Sequence, residues 1–244
     1  MTNKYVLIFA WLFAVCSVSG QTDEYRKINL SVHAGMDFPL GTSNTAGLDP
    51  DFMLPFSKGF GATFDGAYYF TKNFGAGLKY HFFTTNVAES QYFPPDKAVA
   101  YDFKEMTHYM GPAFFGKWML GTSNWEISSN ASIGYVHNKI FKHAEAVIYM
   151  PFTDQILQLV ESDPDKQTKY FSYYDWTSHS IGLMFSAGIR YRIIPAIGIG
   201  INASGMFSGA KKQKFENYLG EQITLDNPRK MNRFGISAGL DFSF

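Results

Sequence analysis

The feature that most constrains this chain is a two-residue alternation: one parity is bulky and apolar, the other is glycine, serine, asparagine or an isolated charge. It is cleanest at the end, RFGISAGLDFSF, residues 233–244. Phe234, Ile236, Ala238, Leu240, Phe242 and Phe244 share one parity; Arg233, Gly235, Ser237, Gly239, Asp241 and Ser243 share the other. A period of two puts these sets on opposite faces of a β-strand. One such strand fits the edge of a soluble sandwich as well as a membrane wall, so the rest of the chain has to decide.

Eight segments carry the pattern: 27–38, 59–70, 74–85, 105–119, 125–137, a stretch within 173–192, 196–207 and 233–244. Each is long enough to cross a bilayer at a tilt, which takes about 9–11 residues. In the first, Ile28, Leu30, Val32, Ala34, Met36 and Phe38 oppose Asn29, Ser31, His33, Gly35 and Asp37. In the seventh, Ile197, Ile199, Ile201, Ala203 and Phe207 oppose Gly198, Gly200, Asn202 and Ser204. A soluble barrel needs bulk inside and polarity outside. Eight bulky faces are far too large for one narrow interior. Turned outward to lipid they fit, and the small face lines the lumen.

The connections alternate in length. Residues 71–73, 121–124 and 194–195 are tight turns, whereas 39–58, 86–104, 138–172 and 208–232 are long. Short turns on one side and long loops on the other are the mark of an outer-membrane barrel with both termini in the periplasm. On that assignment Phe70, Phe74, Trp118, Trp125, Tyr191 and Phe244 mark the periplasmic ends of the apolar faces, and Phe38, Phe60, Phe82, Tyr135, Phe207 and Phe234 the outer ends. These are two aromatic girdles at headgroup level. The expected fold is all-β: an eight-stranded antiparallel up-and-down transmembrane β-barrel with short periplasmic turns and four long outer loops. In the fourth strand Pro112 cannot donate to a ladder, so a bulge or local break is expected there, and the parity of 105–116 is open.

Residues 1–20 read as a secretory signal peptide: Lys4, an apolar stretch from Tyr5 to Cys16, and small residues ending at Gly20. The alternative, lipidation at Cys16, meets a poor lipobox in Phe13-Ala14-Val15. Cys16 is the only cysteine, so residues 21–244 form no disulfide among themselves, and stability must come from packing or barrel closure. Removing Lys4 leaves 20 basic residues against 21 acidic ones, with no basic excess for nucleic acid.

The leader, the eight alternating segments and the terminal DFSF resemble the small outer-membrane β-barrel proteins of Gram-negative bacteria. The glycine-rich strands and aromatic-rich loops look most like the barrel families of the Bacteroidota. The resemblance implies outer-membrane lipid as surroundings and recognition of the C-terminal Phe244 by the barrel-assembly machinery.

The inward parity collects Asp37, Asp65, Glu126 and Asp241 against Lys79, Arg190, Arg192, Arg233 and Lys117, together with His33 and His81. A paired structural network is the first reading; a proton or ion path and a ligand site are the others. Catalysis finds little support. The barrel lipid deacylases place a serine two residues after a histidine, and none of the six histidines here has that neighbour. In Ser178-His179-Ser180 the serines face away from the imidazole. No metal and no cofactor are expected: His137, His143 and Glu145 match no standard spacing, and Asp49/Asp51 and Asp163/Asp165 flank prolines in turn-like contexts. The outer segments are rich in Tyr and Phe, and 150–162 reads as a short helix starting near Pro151. Those aromatics either pack on strands that continue beyond the membrane or form a patch for a protein, glycan or lipid ligand. The expected function is therefore a non-enzymatic surface or structural role. The alternatives are a passive channel for small apolar molecules, resembling the OmpW type, and a lipid-modifying enzyme.

Overall fold

A computed structural model describes residues 26–40, 58–93, 97–121, 123–148, 161–162, 168–216, 222–225 and 229–244. The signal peptide expected at 1–20 and the helix expected from Pro151 lie outside the described residues.

Eight long antiparallel strands form the wall: β1 (Ile28–Pro39), β2 (Gly59–Tyr69), β3 (Phe74–Phe93), β4 (Lys97–Met119), β5 (Trp125–Ile148), β6 (Thr168–Ile194), β7 (Ile197–Ala210) and β8 (Arg233–Ser243). Each pairs with its neighbours in sequence, and β8 returns to β1, so the sheet closes without an edge. Short strands at Gln213–Glu216 and Gln222–Leu225 add a ribbon beside β6.

The register fixes the shape. A path of directly opposed residues leaves β1 at Ile28 and runs through Tyr68, Ala76, Phe114, Ala131, Phe185, Gly205 and Phe234. It returns to β1 at Phe38, ten residues further along. Eight strands with this stagger tilt by about 40–45° and leave an interior that side chains can fill. Closure uses the last residue: Ile28 N donates to Phe244 O at 3.0 Å, and Phe244 N donates to Ile28 O at 2.8 Å.

Burial is inverted relative to a soluble barrel. Leu78, Ile181 and Ile201, all more than 60% exposed, lie on the outer wall, while Lys79, Arg233 and His33 are each 1% exposed inside. Phe38, Phe60, Phe70, Phe74, Trp118, Trp125, Tyr135, Tyr191, Phe207 and Phe234 all point outward and are exposed; Phe82 and Phe244 are half-buried. An apolar surface this continuous is stable only against a low-dielectric surround, so this is a lipid-facing wall.

The periplasmic turns fall where expected. Thr71 Oγ1 accepts from Phe74 N at 2.9 Å, and Asn73 Nδ2 reaches across to Lys117 O at 2.7 Å. Gly121 supplies a positive φ of 63° between β4 and β5.

Of the bulge or local break expected at Pro112, the structure shows the break and no bulge. The β4–β5 ladder omits Gly111 and Pro112, yet Met110↔Tyr135 and Ala113↔Ser132 keep one register across the gap, and Leu78 still opposes Pro112 on β3. The missing N–H interrupts hydrogen bonding without adding a residue, so the parity is preserved. A register shift occurs instead between Arg192 and Ile194, at the short turn into β7. One expectation needs correction: the outer segments 86–104 and 138–172, expected as loops, are strand wherever they are described, with β3–β4 pairing continuing to Phe93↔Lys97 and β5–β6 pairing to Ile148↔Thr168.

Candidate functional site: the lumen and outer wall

Inward side chains of all eight strands meet in the barrel, where, among the described residues, five carboxylates (Asp37, Asp65, Glu105, Glu126, Asp241) face five cations (Lys79, Lys117, Arg190, Arg192, Arg233). The register places several pairs directly opposite one another. Asp65 opposes Lys79, and Glu126 opposes Arg190.

Toward the periplasm, Arg190 Nε lies 3.2 Å from Asp241 Oδ1 and its Nη1 3.6 Å from Glu126 Oε1; Arg192 takes the other oxygen of Glu126. His33 Nε2 is 3.5 Å from Asp241 Oδ2, and its Nδ1 is 3.0 Å from Asn202 Nδ2. Lys117 sits with Nζ 3.8 Å from the centre of the Tyr69 ring. Mid-barrel, Lys79 Nζ donates to both Asp65 oxygens at 3.0 Å. Toward the outer mouth, His81 Nε2 lies 2.7 Å from Asp37 Oδ2 and His81 Nδ1 3.0 Å from Thr63 Oγ1. Arg233 Nη2 is 2.6 Å from Glu105 Oε1, and the guanidinium stacks 3.6 Å from the Phe83 ring centre. Asn138 Nδ2 donates to Glu105 at 2.7 Å and to Thr107 at 2.8 Å.

Every charge named here has an opposite charge or a ring against it, which offsets the several kcal/mol that an unpaired ion in this interior costs. Next to the polar column, Tyr109, Val136, Met184, Met206 and Met231 form a buried apolar layer. At the periplasmic end, the void bounded by Asn29, Glu126, Arg190 and Asp241 measures about 10 Å³, room for about one water.

The side chains of Asp37, Asp65, Lys79, His81, Glu126, Arg190, Arg233 and Asp241 all lie inside the barrel. The structure adds Glu105, Thr107 and Asn138. Glu105 shares parity with Lys117, so a continuous fourth strand was the signal for it. Ser178 is buried inside, whereas His179 is exposed on the outer wall. Among the described residues no three His, Cys, Asp or Glu side chains converge to hold a metal.

Among the described residues the outer wall carries a groove of about 520 Å³. Gly116, Ser129, Ala131, Ala187, Ala203 and Gly205 form its floor, and Phe74, Phe114, Trp118, Phe185 and Phe234 stand around it. Small outward residues on neighbouring strands simply leave the wall thin there.

No protein-family model matches the chain, and no curated protein matches it. Among solved structures, the chain is similar to Neisserial surface protein A (14% identity, 89% of this chain and 97% of that chain covered, TM-score 0.42). It is also similar to the outer membrane protein OprG of Pseudomonas aeruginosa (11% identity, 90% and 97% covered, TM-score 0.46). A third similarity is to a major outer membrane protein of Thermus thermophilus (11% identity, 89% and 99% covered, TM-score 0.47).

Proposed function

We propose that this chain is an integral outer-membrane barrel without catalytic activity, whose wall anchors a binding surface held above the outer leaflet. The observation that carries this reading is the unequal height of the strands. β1, β2 and β8 have 12, 11 and 11 residues, close to what a bilayer needs. β3, β4, β5 and β6 have 20, 23, 24 and 27. Half of the barrel therefore continues outward as a four-stranded sheet, about ten residues beyond the membrane. The paired charges of the described lumen residues support a structural role for the barrel itself. A protein, glycan or lipid ligand at the outer sheet and loops fits the Tyr- and Phe-rich sequence of 91–103 and 169–176.

The test is binding of whole cells or proteoliposomes to protein, glycan and lipid arrays, with and without residues 150–160. Loss of binding in a variant that still folds supports the reading; unchanged binding sinks it. A second reading, a passive route for small apolar molecules of the OmpW kind, has one observation behind it, the missing ladder pairs at Gly111 and Pro112. Liposome swelling that Pro112→Val abolishes would select it.

A further inference from the structure

Three histidines stand side by side on the outward face of the wall. His108 on β4 is directly opposite His137 on β5, and His137 is directly opposite His179 on β6. On β5 the girdle residue Tyr135 lies two positions inward. Lys139 lies two positions outward, its Nζ 3.0 Å from Asp175, with both of those side chains more than a third exposed. The row therefore sits where lipid gives way to water.

Two of the three imidazoles are poised together. His137 Nδ1 and His179 Nδ1 are 3.2 Å apart, with ring planes 31° apart. The Tyr135 hydroxyl also bonds His179 Nδ1. A hydrogen shared between the two Nδ1 atoms, carried by either ring, closes this contact. A cation taking the place of that hydrogen would meet two imidazole lone pairs. Two nitrogens at 2.0–2.1 Å from one ion lie ~2.9 Å apart at a right angle and ~3.4 Å apart at the tetrahedral angle, and the observed spacing falls between. His108 is arranged differently: its ring centre is 6.3 Å from that of His137, and its Nδ1 is held by the Tyr80 hydroxyl at 2.8 Å.

We infer that His137 and His179 form a cross-strand, two-imidazole site for a divalent transition metal at the outer rim of the barrel. Imidazole favours copper, nickel and zinc over calcium or magnesium, and among the divalent ions copper binds such donors most tightly. Water completes the shell, because the described residues offer no third converging ligand.

The test uses Cu²⁺ on the folded, untagged chain in detergent, followed by titration calorimetry and electron paramagnetic resonance. Folding of each variant is checked by the mobility shift between unboiled and boiled samples. Expected are saturable binding, a spectrum with two equivalent nitrogen donors, and weakening of about tenfold or more in both His137→Ala and His179→Ala. His108→Ala binds as the parent does. The inference is overturned if copper does not saturate, if the spectrum shows one nitrogen, if either single variant retains parental affinity, or if His108→Ala loses as much as the other two.

Discussion

At the scale of single residues, the lumen pairs and the lipid-facing side chains make opposite demands. Lys79 is 1% exposed, and both oxygens of Asp65 accept from its ammonium. Lys79→Met should cost ~3–5 kcal/mol in urea unfolding from detergent, because Asp65 is left buried and charged. The double variant Asp65→Asn with Lys79→Met should recover most of that loss. If the double change costs the sum of the two single changes, the pair is not the cause. On the other face Leu78, 63% exposed near the middle of the membrane span of β3, is covered by lipid. Leu78→Lys should cost ~2–4 kcal/mol in a bilayer. An exposed leucine of a soluble barrel would tolerate lysine freely, so a null effect in that assay would refute the inverted wall.

At the scale of elements, the strands are held by close backbone approach as much as by side chains. A Cβ on Gly77 would lie 1.8 Å from Gly66 O on β2. Gly77→Val should therefore abolish the mobility shift of the folded barrel, since backbone, unlike a flexible side-chain tip, cannot move aside. Pro112 makes the contrasting case. Its ladder to β5 is already unpaired and its register is intact. Pro112→Val should leave unfolding within about 0.5 kcal/mol of the parent or raise stability. A strong loss would mean that the proline is structurally required. β4 also shows how one residue clouds a sequence reading. The proline puts the parity of 105–116 in doubt, and for that reason alone the sequence does not assign Glu105, the partner of Arg233, to the lumen set.

At the scale of the whole molecule, closure and filling decide behaviour. A sheet without an edge, joined through Phe244, should stay folded in cold detergent and shift on boiling. A lumen of matched charges and a methionine-rich layer should give no ohmic conductance in planar bilayers. Steady channels of tens of picosiemens or more would show the network to be mobile, and would turn attention from the outer sheet to the lumen.

The alternation alone determined the barrel and the strand number, and it put all but one of the buried charged residues named here on the inward parity. Those properties depend on which face a residue occupies, and a period of two fixes that locally. Where the strands end was hidden, because β3–β6 continue into segments whose alternation is weaker and whose composition reads as loop. The stagger of the barrel was hidden too, since register is a relation between strands that no single segment contains. That relation alone brought His137 and His179 within 3.2 Å, set Glu105 against Arg233 and passed Pro112 without a bulge. Parity is a property of one strand, whereas proximity across the wall exists only once all eight have closed.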